Sequence, residues 1–195
     1  MAETSVAALE PRLQRQVESA RVAYGRGNFD YTLVLCRTIL RERPGCFPVR
    51  KLHRDAALRL HHGSGSPFAL ELGRAVEEPA AMSPPTLPPA EPIRAVESSE
   101  AMIEGNPHDT GALRLLASAA MALGWRETTV FALESIREET PKDTANLVAL
   151  GAAQLAAGRP DDAVASAEQA LRLEPVSAPA RQLLRGAALV RNRAR

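Results

Sequence analysis

Residues 106–124 read NPHDTGALRLLASAAMALG, and residues 140–158 read TPKDTANLVALGAAQLAAG. The two stretches share a Pro-x-Asp-Thr turn, an apolar rhythm at helical spacing and a closing glycine, 34 residues apart. A period of this length is typical of a stacked supersecondary unit that is too thin to bury its apolar face alone. The duplication therefore predicts a protein built from successive helix pairs.

Residues 144–177 show how one unit is built. Leu147, Leu150 and Leu155 lie at helical spacing on a first helix. Gly158 ends that helix, because glycine adopts the left-handed conformation after a helix without steric cost. A second helix follows, with Pro160 in its first turn. Apolar residues make up 45% of the chain and aromatic residues only 4%, which suits close helix packing, so we expect an all-α fold.

The unit resembles the tetratricopeptide repeat (TPR). Its residues match that family at six positions, which are Leu150, Gly151, Gly158, Ala163, Ala170 and Pro175. It departs from the family where Leu147, Gln154 and Ala167 replace the usual tryptophan, an aromatic residue and a larger residue. Residues 110–143 form a divergent second copy, and residues 13–46 form a third. The resemblance implies an α-α superhelix of TPR-like helix hairpins that binds a protein or peptide partner.

The repeat phase breaks after the copy at 13–46. Residues 63–92 read GSGSPFALELGRAVEEPAAMSPPTLPPAEP, and their proline pairs cannot continue a helix, which predicts a Pro-rich linker. We therefore expect four parts: a flexible N-terminus (1–12), an N-terminal TPR-like helical unit (13–62), the linker (63–92) and a TPR array (93–195). Within the array we expect a half repeat (93–109), repeats 110–143 and 144–177, and a capping helix (178–195).

The formal net charge of +1 conceals a strong asymmetry. Residues 1–62 carry 11 Lys and Arg against 6 Asp and Glu, whereas residues 63–109 carry 2 against 8. The basic part has no interleaved aromatics, no phosphate-binding glycine loop and no recognisable reading helix, which argues against nucleic acid as its partner. We favour a solvated face, or docking on the acidic middle of the same chain or of another copy. Self-association and a nucleic-acid adaptor role remain alternative predictions.

A groove is the binding site that the resemblance implies, formed by the first helices of successive repeats. Its predicted residues are Arg114, Ser118, Met121, Val148, Ala152, Leu155, Gln182 and Leu189. They are mostly apolar, with Arg114 as the one sure charge, which favours the apolar face of a partner helix. The basic clamp of chaperone-binding TPR proteins is missing, so we expect no such activity. Alternatively, the groove is covered by the chain's own linker or by the N-terminal unit.

The sequence contains no sign of a catalytic, cofactor or metal site. It has no nucleophile motif, no carboxylate pair in an apolar setting and no metal-ligand spacing, so we expect no enzyme, cofactor or metal site. His53, His61 and His62 are best explained as a solvated helix end, and Trp125 as packing over neighbouring helix ends. No leader and no membrane-spanning run precedes or interrupts the repeats, which predicts a cytoplasmic protein without a membrane partner.

Overall fold

The computed structural model describes residues 2–63 and 91–193. Within these ranges a 3-10 helix, Val6–Ala8, precedes nine α-helices: α1 (Pro11–Gly25), α2 (Phe29–Glu42), α3 (Phe47–Gly63), α4 (Pro92–Gly105), α5 (Thr110–Ala122), α6 (Arg126–Glu139), α7 (Thr144–Ala156), α8 (Pro160–Leu173) and α9 (Ala178–Arg193). The only β pairing in these ranges is an isolated bridge between Thr4 and Cys46. The predicted all-α fold is confirmed.

Three helix hairpins repeat the same local geometry. They are α1 with α2, α5 with α6, and α7 with α8. Each turn contains a glycine in the left-handed region, Gly27, Gly124 or Gly158, with φ of 76°, 72° and 77°. The next residue closes the turn with a hydrogen bond, as when the Trp125 N–H donates to the Ala120 carbonyl at 2.8 Å. The helix pairs expected from the duplicated stretch are therefore TPR-like hairpins.

The aspartates of the Pro-x-Asp-Thr turns begin the first helices. The Asp109 carboxylate accepts hydrogen bonds from the Gly111 and Ala112 N–H groups at 2.8 and 3.0 Å. Asp143 does the same for the Asn146 N–H at 2.9 Å. These contacts satisfy N–H groups that have no partner within the helix. The duplicated turn is thus a helix-start signal, which explains why it recurs at the repeat period.

The hydrophobic core runs through the stacked hairpins. Leu113 and Leu116 of α5, Ile136 of α6 and Leu150 of α7 are fully buried. Leu147, which replaces the tryptophan usual in the family, is also fully buried against α8 and α9. A leucine therefore fills this position where the small residues Ala170 and Ala180 let the helices approach closely.

Helix α3 joins the N-terminal helices to the array. It packs on α2 and also on α4 and α6, of which α6 is the second helix of its hairpin. The Phe47 and Phe131 rings meet edge to face with centroids 5.8 Å apart. The N-terminal helices therefore dock on the second-helix side of the array. Residues 64–90 of the linker predicted over 63–92 lie outside the described residues, and the division of the chain at 63–92 stays a prediction.

The first residues contact both the N-terminal helices and the array, and the flexible N-terminus expected over 1–12 stays a prediction. Helix α1 begins at Pro11, Leu9 is buried in the N-terminal core, and Glu3 accepts hydrogen bonds from the first turn of α6. No local pattern indicates the contacts of Glu3, because their partners lie more than a hundred residues away along the chain.

Candidate protein-binding site

The predicted groove residues lie on α5, α7 and α9, and we call the exposed side of these helices the first-helix face. Met121 and Leu189 are 63% and 61% exposed, unusually high for such apolar side chains. Ala152 and Gln182 are exposed as well, whereas Arg114, Ser118, Val148 and Leu155 are half-buried. The docked N-terminal helices make their contacts on the other side, with α4 and α6, and leave Met121 open to solvent.

An apolar depression of about 330 Å³ lies between α5 and α7. It is lined by Met121, Gly124, Trp125, Arg126, Thr129, Ala149, Ala152, Ala153 and Ala156. Of the predicted site residues, Met121 and Ala152 border it, whereas Val148, Leu155 and Leu189 do not. Its α7 wall consists of alanines, and the space above the helix stays unfilled because each alanine carries only a single methyl group. We call this feature the alanine depression.

Seven of the nine residues that line the alanine depression were not among the predicted site residues, and on α7 they include Ala149 and Ala153. The prediction used the positions that line the groove in the TPR family, and these two residues fall between them. A run of small residues was the available signal, since Ala149, Ala152, Ala153 and Ala156 recur at helical spacing. Each of these alanines alone is typical of ordinary helix packing. The alanine depression therefore becomes visible only once the distance between the helices is known.

Arg114 is held within the protein rather than offered to a partner. Its guanidinium donates to the Asp143 carboxylate at 2.6 Å, the same carboxylate that begins α7. Burial raises the pKa of Asp143, but hydrogen bonds from Asn146 and Arg114, together with the Arg114 charge, outweigh it and hold the pKa below its usual range. The charge predicted for the groove therefore joins α5 to the start of α7.

Trp125 is buried beside the alanine depression. Its side chain has no exposed surface, and it occupies the position before α6. The Arg50 guanidinium of α3 lies over the indole, 5.1 Å from the ring centroid. Trp125 therefore packs over neighbouring helix ends, as predicted. It borders the alanine depression on one side and contacts Arg50 of the docked N-terminal helices on the other.

Arg50 is the centre of the contact between the N-terminal helices and the array. It is only 1% exposed, and its Nε donates to Glu100 of α4 at 2.8 Å. Its remaining nitrogens donate to the Thr128 hydroxyl at 3.1 Å and to the Pro44 carbonyl. Nearby, the buried Arg54 faces Glu138 and Glu139 of α6 at 3.6 and 3.5 Å. The basic N-terminal part thus docks on acidic helices of the same chain.

The expected solvated helix end is wrong for His53. Its side chain is buried, and its Nε2 lies 3.2 Å from the Glu104 carboxylate, which also accepts from Arg37. The hydrogen bond with His53 is the main cause that lowers the pKa of Glu104; burial opposes it, and the charges of His53 and Arg37 add to the lowering. His61 and His62 are exposed. The misprediction arose because Glu104 lies beyond the linker in sequence.

Neither a metal site nor a reactive thiol emerges among the described residues. Across 2–63 and 91–193, no three His, Cys, Asp or Glu side chains are grouped as ion ligands. Cys36 and Cys46 are free and buried, and burial is the main cause that raises the pKa of the Cys36 thiol to about 12. Such a thiol is a core residue rather than a nucleophile. In the same ranges no helix has the length and apolarity needed to cross a bilayer.

Together, the hairpins, their in-phase glycine turns and the exposed first-helix face define an all-α, TPR-like helical repeat protein. No protein-family model matches the sequence, and no curated protein matches it either. Solved structures similar to the chain include that of MamA protein. It has 14% identity and a TM-score of 0.49, with 92% of this chain and 82% of that chain covered.

Two further solved structures are similar at comparable levels. TTC0263, described as a thermophilic TPR protein in Thermus thermophilus, is 19% identical, with 91% of this chain and 81% of that chain covered and a TM-score of 0.42. The MamA RS-1 ArsTM double mutant is 14% identical, with 95% and 88% covered and a TM-score of 0.48. At these values, the description of this chain rests on its own hairpin geometry.

Proposed function

We propose that this chain is a non-catalytic scaffold that binds a protein or peptide segment on the first-helix face. The observation that carries the proposal is the alanine depression beside the exposed Met121. An apolar hollow open to water is an unfavourable surface for a protein to leave uncovered. It suits a single bulky apolar side chain of a partner, with the partner's remaining contacts along α7 and α9.

The partner's anchor is an apolar side chain rather than an acidic terminus. Arg114 is already paired with Asp143, and the depression itself is lined mainly by methyl groups. Helix-in-groove binding uses such apolar anchors at helical spacing. The exposed Leu189 of α9 supplies a second apolar contact for a partner that extends along the face.

Self-association and nucleic-acid binding have less support. The charge asymmetry that predicted docking on another copy is matched within one chain, where Arg50 and Arg54 meet glutamates of α4 and α6. The same burial withdraws these two arginines from phosphates. Interaction through the first-helix face therefore explains more of the structure than either alternative.

The test compares two exposed alanines on different helices. Ala152→Glu places a charge in the alanine depression, whereas Ala165→Glu places one on the exposed side of α8. Affinity capture followed by mass spectrometry should recover the same partner with the parent protein and with Ala165→Glu, and lose it with Ala152→Glu. Equal recovery with both variants would contradict binding at the depression.

A further inference from the structure

The N-terminal residues 2–5 contact the array through a single carboxylate. Glu3 accepts hydrogen bonds from the Glu127 and Thr128 N–H groups at 2.9 and 2.7 Å, and from the Thr128 hydroxyl at 2.6 Å. These N–H groups belong to the first turn of α6, where they have no partner within the helix. The positive end of the helix dipole adds to the attraction for a negative group.

The groups that receive this carboxylate are fixed by other contacts. The Thr128 hydroxyl donates to Glu3 and accepts from the buried Arg50 at 3.1 Å. Arg50 in turn is held by Glu100, by the Pro44 carbonyl and by Trp125. The receiving groups are therefore held by contacts that do not involve Glu3, as a preorganised binding site requires.

The backbone of the same segment is recognised separately. The Thr4 N–H donates to the Gly45 carbonyl at 2.9 Å, and Thr4 pairs with Cys46 in a parallel bridge. The segment passes so close to Gly45 that a Cβ built there would lie 2.6 Å from the Ala2 carbonyl oxygen. Main-chain pairing together with a pocket for one side chain is how proteins bind extended peptides.

The segment itself is lightly held. Glu3 and Thr4 are half-buried, and Ala2 and Ser5 are exposed. None of residues 2–5 contributes a side chain to the core of the N-terminal helices, although Thr4 pairs with the core residue Cys46 through its main chain. Residues 2–5 can therefore leave without removing a packed side chain from that core. We call the space they occupy, between Gly45–Cys46 and the first turn of α6, the arm crevice.

We propose that the arm crevice is a binding site for an extended acidic peptide segment, and that residues 2–5 of the chain occupy it as an internal ligand. A partner segment that offers a Glu or Asp side chain and one main-chain N–H displaces them. This site is distinct from the alanine depression, although Trp125 borders that depression and also contacts Arg50 beside the arm crevice.

The test uses a variant that lacks residues 2–5 and a synthetic peptide with the sequence of residues 2–7, AETSVA. A matched peptide carries Gln in place of Glu. Binding is followed by the fluorescence of Trp125, the only tryptophan of the chain, and by the anisotropy of a labelled peptide up to about 1 mM. The truncated variant should bind the Glu peptide about tenfold or more tightly than the Gln peptide, and the full chain should bind it more weakly than the truncated variant does.

Equal binding of the two peptides, or absence of binding while circular dichroism shows retained helix, would overturn the proposal. Equal binding by the full and truncated chains would overturn the assignment of residues 2–5 as the occupant. If truncation lowers the helix content, the full chain with Glu3→Gln replaces it, and Glu18→Gln on the exposed side of α1 is its control. Hydrogen exchange at Thr4, Glu127 and Thr128 should accelerate in Glu3→Gln alone, and unchanged exchange there would reject the site.

Discussion

The two sides of the array have opposite chemistry. On the second-helix side, α3 buries charged side chains against α4 and α6, with Arg50, His53 and Arg54 all nearly inaccessible. On the first-helix side, α5 and α7 expose methyl groups and the thioether of Met121. Buried charges must be paired, because an unpaired one is costly. The buried charges of the second-helix side face carboxylates of the same chain, whereas the apolar surface of the first-helix side stays exposed among the described residues.

The largest loss of stability is expected when Arg50 is removed. Arg50→Ala leaves Glu100, Thr128 and the Pro44 carbonyl without a buried partner. Loss of one member of a buried ion pair costs about 3–5 kcal/mol in the free energy of unfolding. Urea denaturation followed by circular dichroism measures this loss. Arg41→Ala, on the exposed side of α2, is the control and should change the free energy by less than about 0.5 kcal/mol.

A smaller effect is expected from Glu104, which faces both His53 and Arg37. Glu104→Gln should lower the free energy of unfolding by about 1.5–3 kcal/mol at neutral pH, as for a hydrogen bond to a charged group. The pKa of this carboxyl is lowered in the folded state from its ordinary 4.5, first by the His53 hydrogen bond. The contribution is therefore complete above pH 4.5 and is lost as the pH falls through the lowered pKa.

The measurement for Glu104 is the free energy of unfolding between neutral pH and about pH 3. The parent protein should lose more stability over this range than Glu104→Gln does. Glu97→Gln, at an exposed position on the same helix, should follow the parent. Parallel curves for the parent and Glu104→Gln would show that the contact with His53 does not stabilise the docked arrangement.

How much of this comparison the sequence predicts depends on the distance between partners. The hairpins, the aspartate helix starts and the glycine turns were predictable, because each depends on residues within one repeat. Charge asymmetry left two alternatives for the basic part, a solvated face or docking on an acidic part. It did not identify Arg50 and Glu100, or His53 and Glu104, since these pairs are about 50 residues apart and the predicted linker separates them.

The candidate site was predictable only in part. Met121 and Ala152 were named from the family pattern, and both border the alanine depression. Arg114 was expected to face a partner, but its charge is taken by Asp143, whose position depends on how two repeats stack. Glu3 carried no signal, because an acidic residue near a chain end is ordinary. What escaped prediction is the set of contacts that only the packed helices create.

A more local effect is expected in the arm crevice. Gly45→Ala would bring a methyl group against the Ala2 carbonyl and displace residues 2–5, with a loss of about 1 kcal/mol from the broken hydrogen bonds. Hydrogen exchange should quicken at Thr4 and Thr128. Gly105→Ala is the control, since a Cβ there meets no atom within 4 Å. Equal exchange in both variants would mean that the close approach at Gly45 does not hold the segment.

The smallest expected effect concerns the apolar side. Ala152→Glu and Ala165→Glu both replace exposed alanines on helices, so each should change the free energy of unfolding by less than about 0.5 kcal/mol. The two variants should therefore unfold at the same urea concentration although only Ala152→Glu loses the partner. If Ala152→Glu instead unfolds markedly earlier, residue 152 contributes to packing within the chain, and the first-helix face is not the open surface that its methyl groups indicate. Equal stability with unequal binding would establish that the second-helix side stabilises the fold, whereas the first-helix face binds a partner.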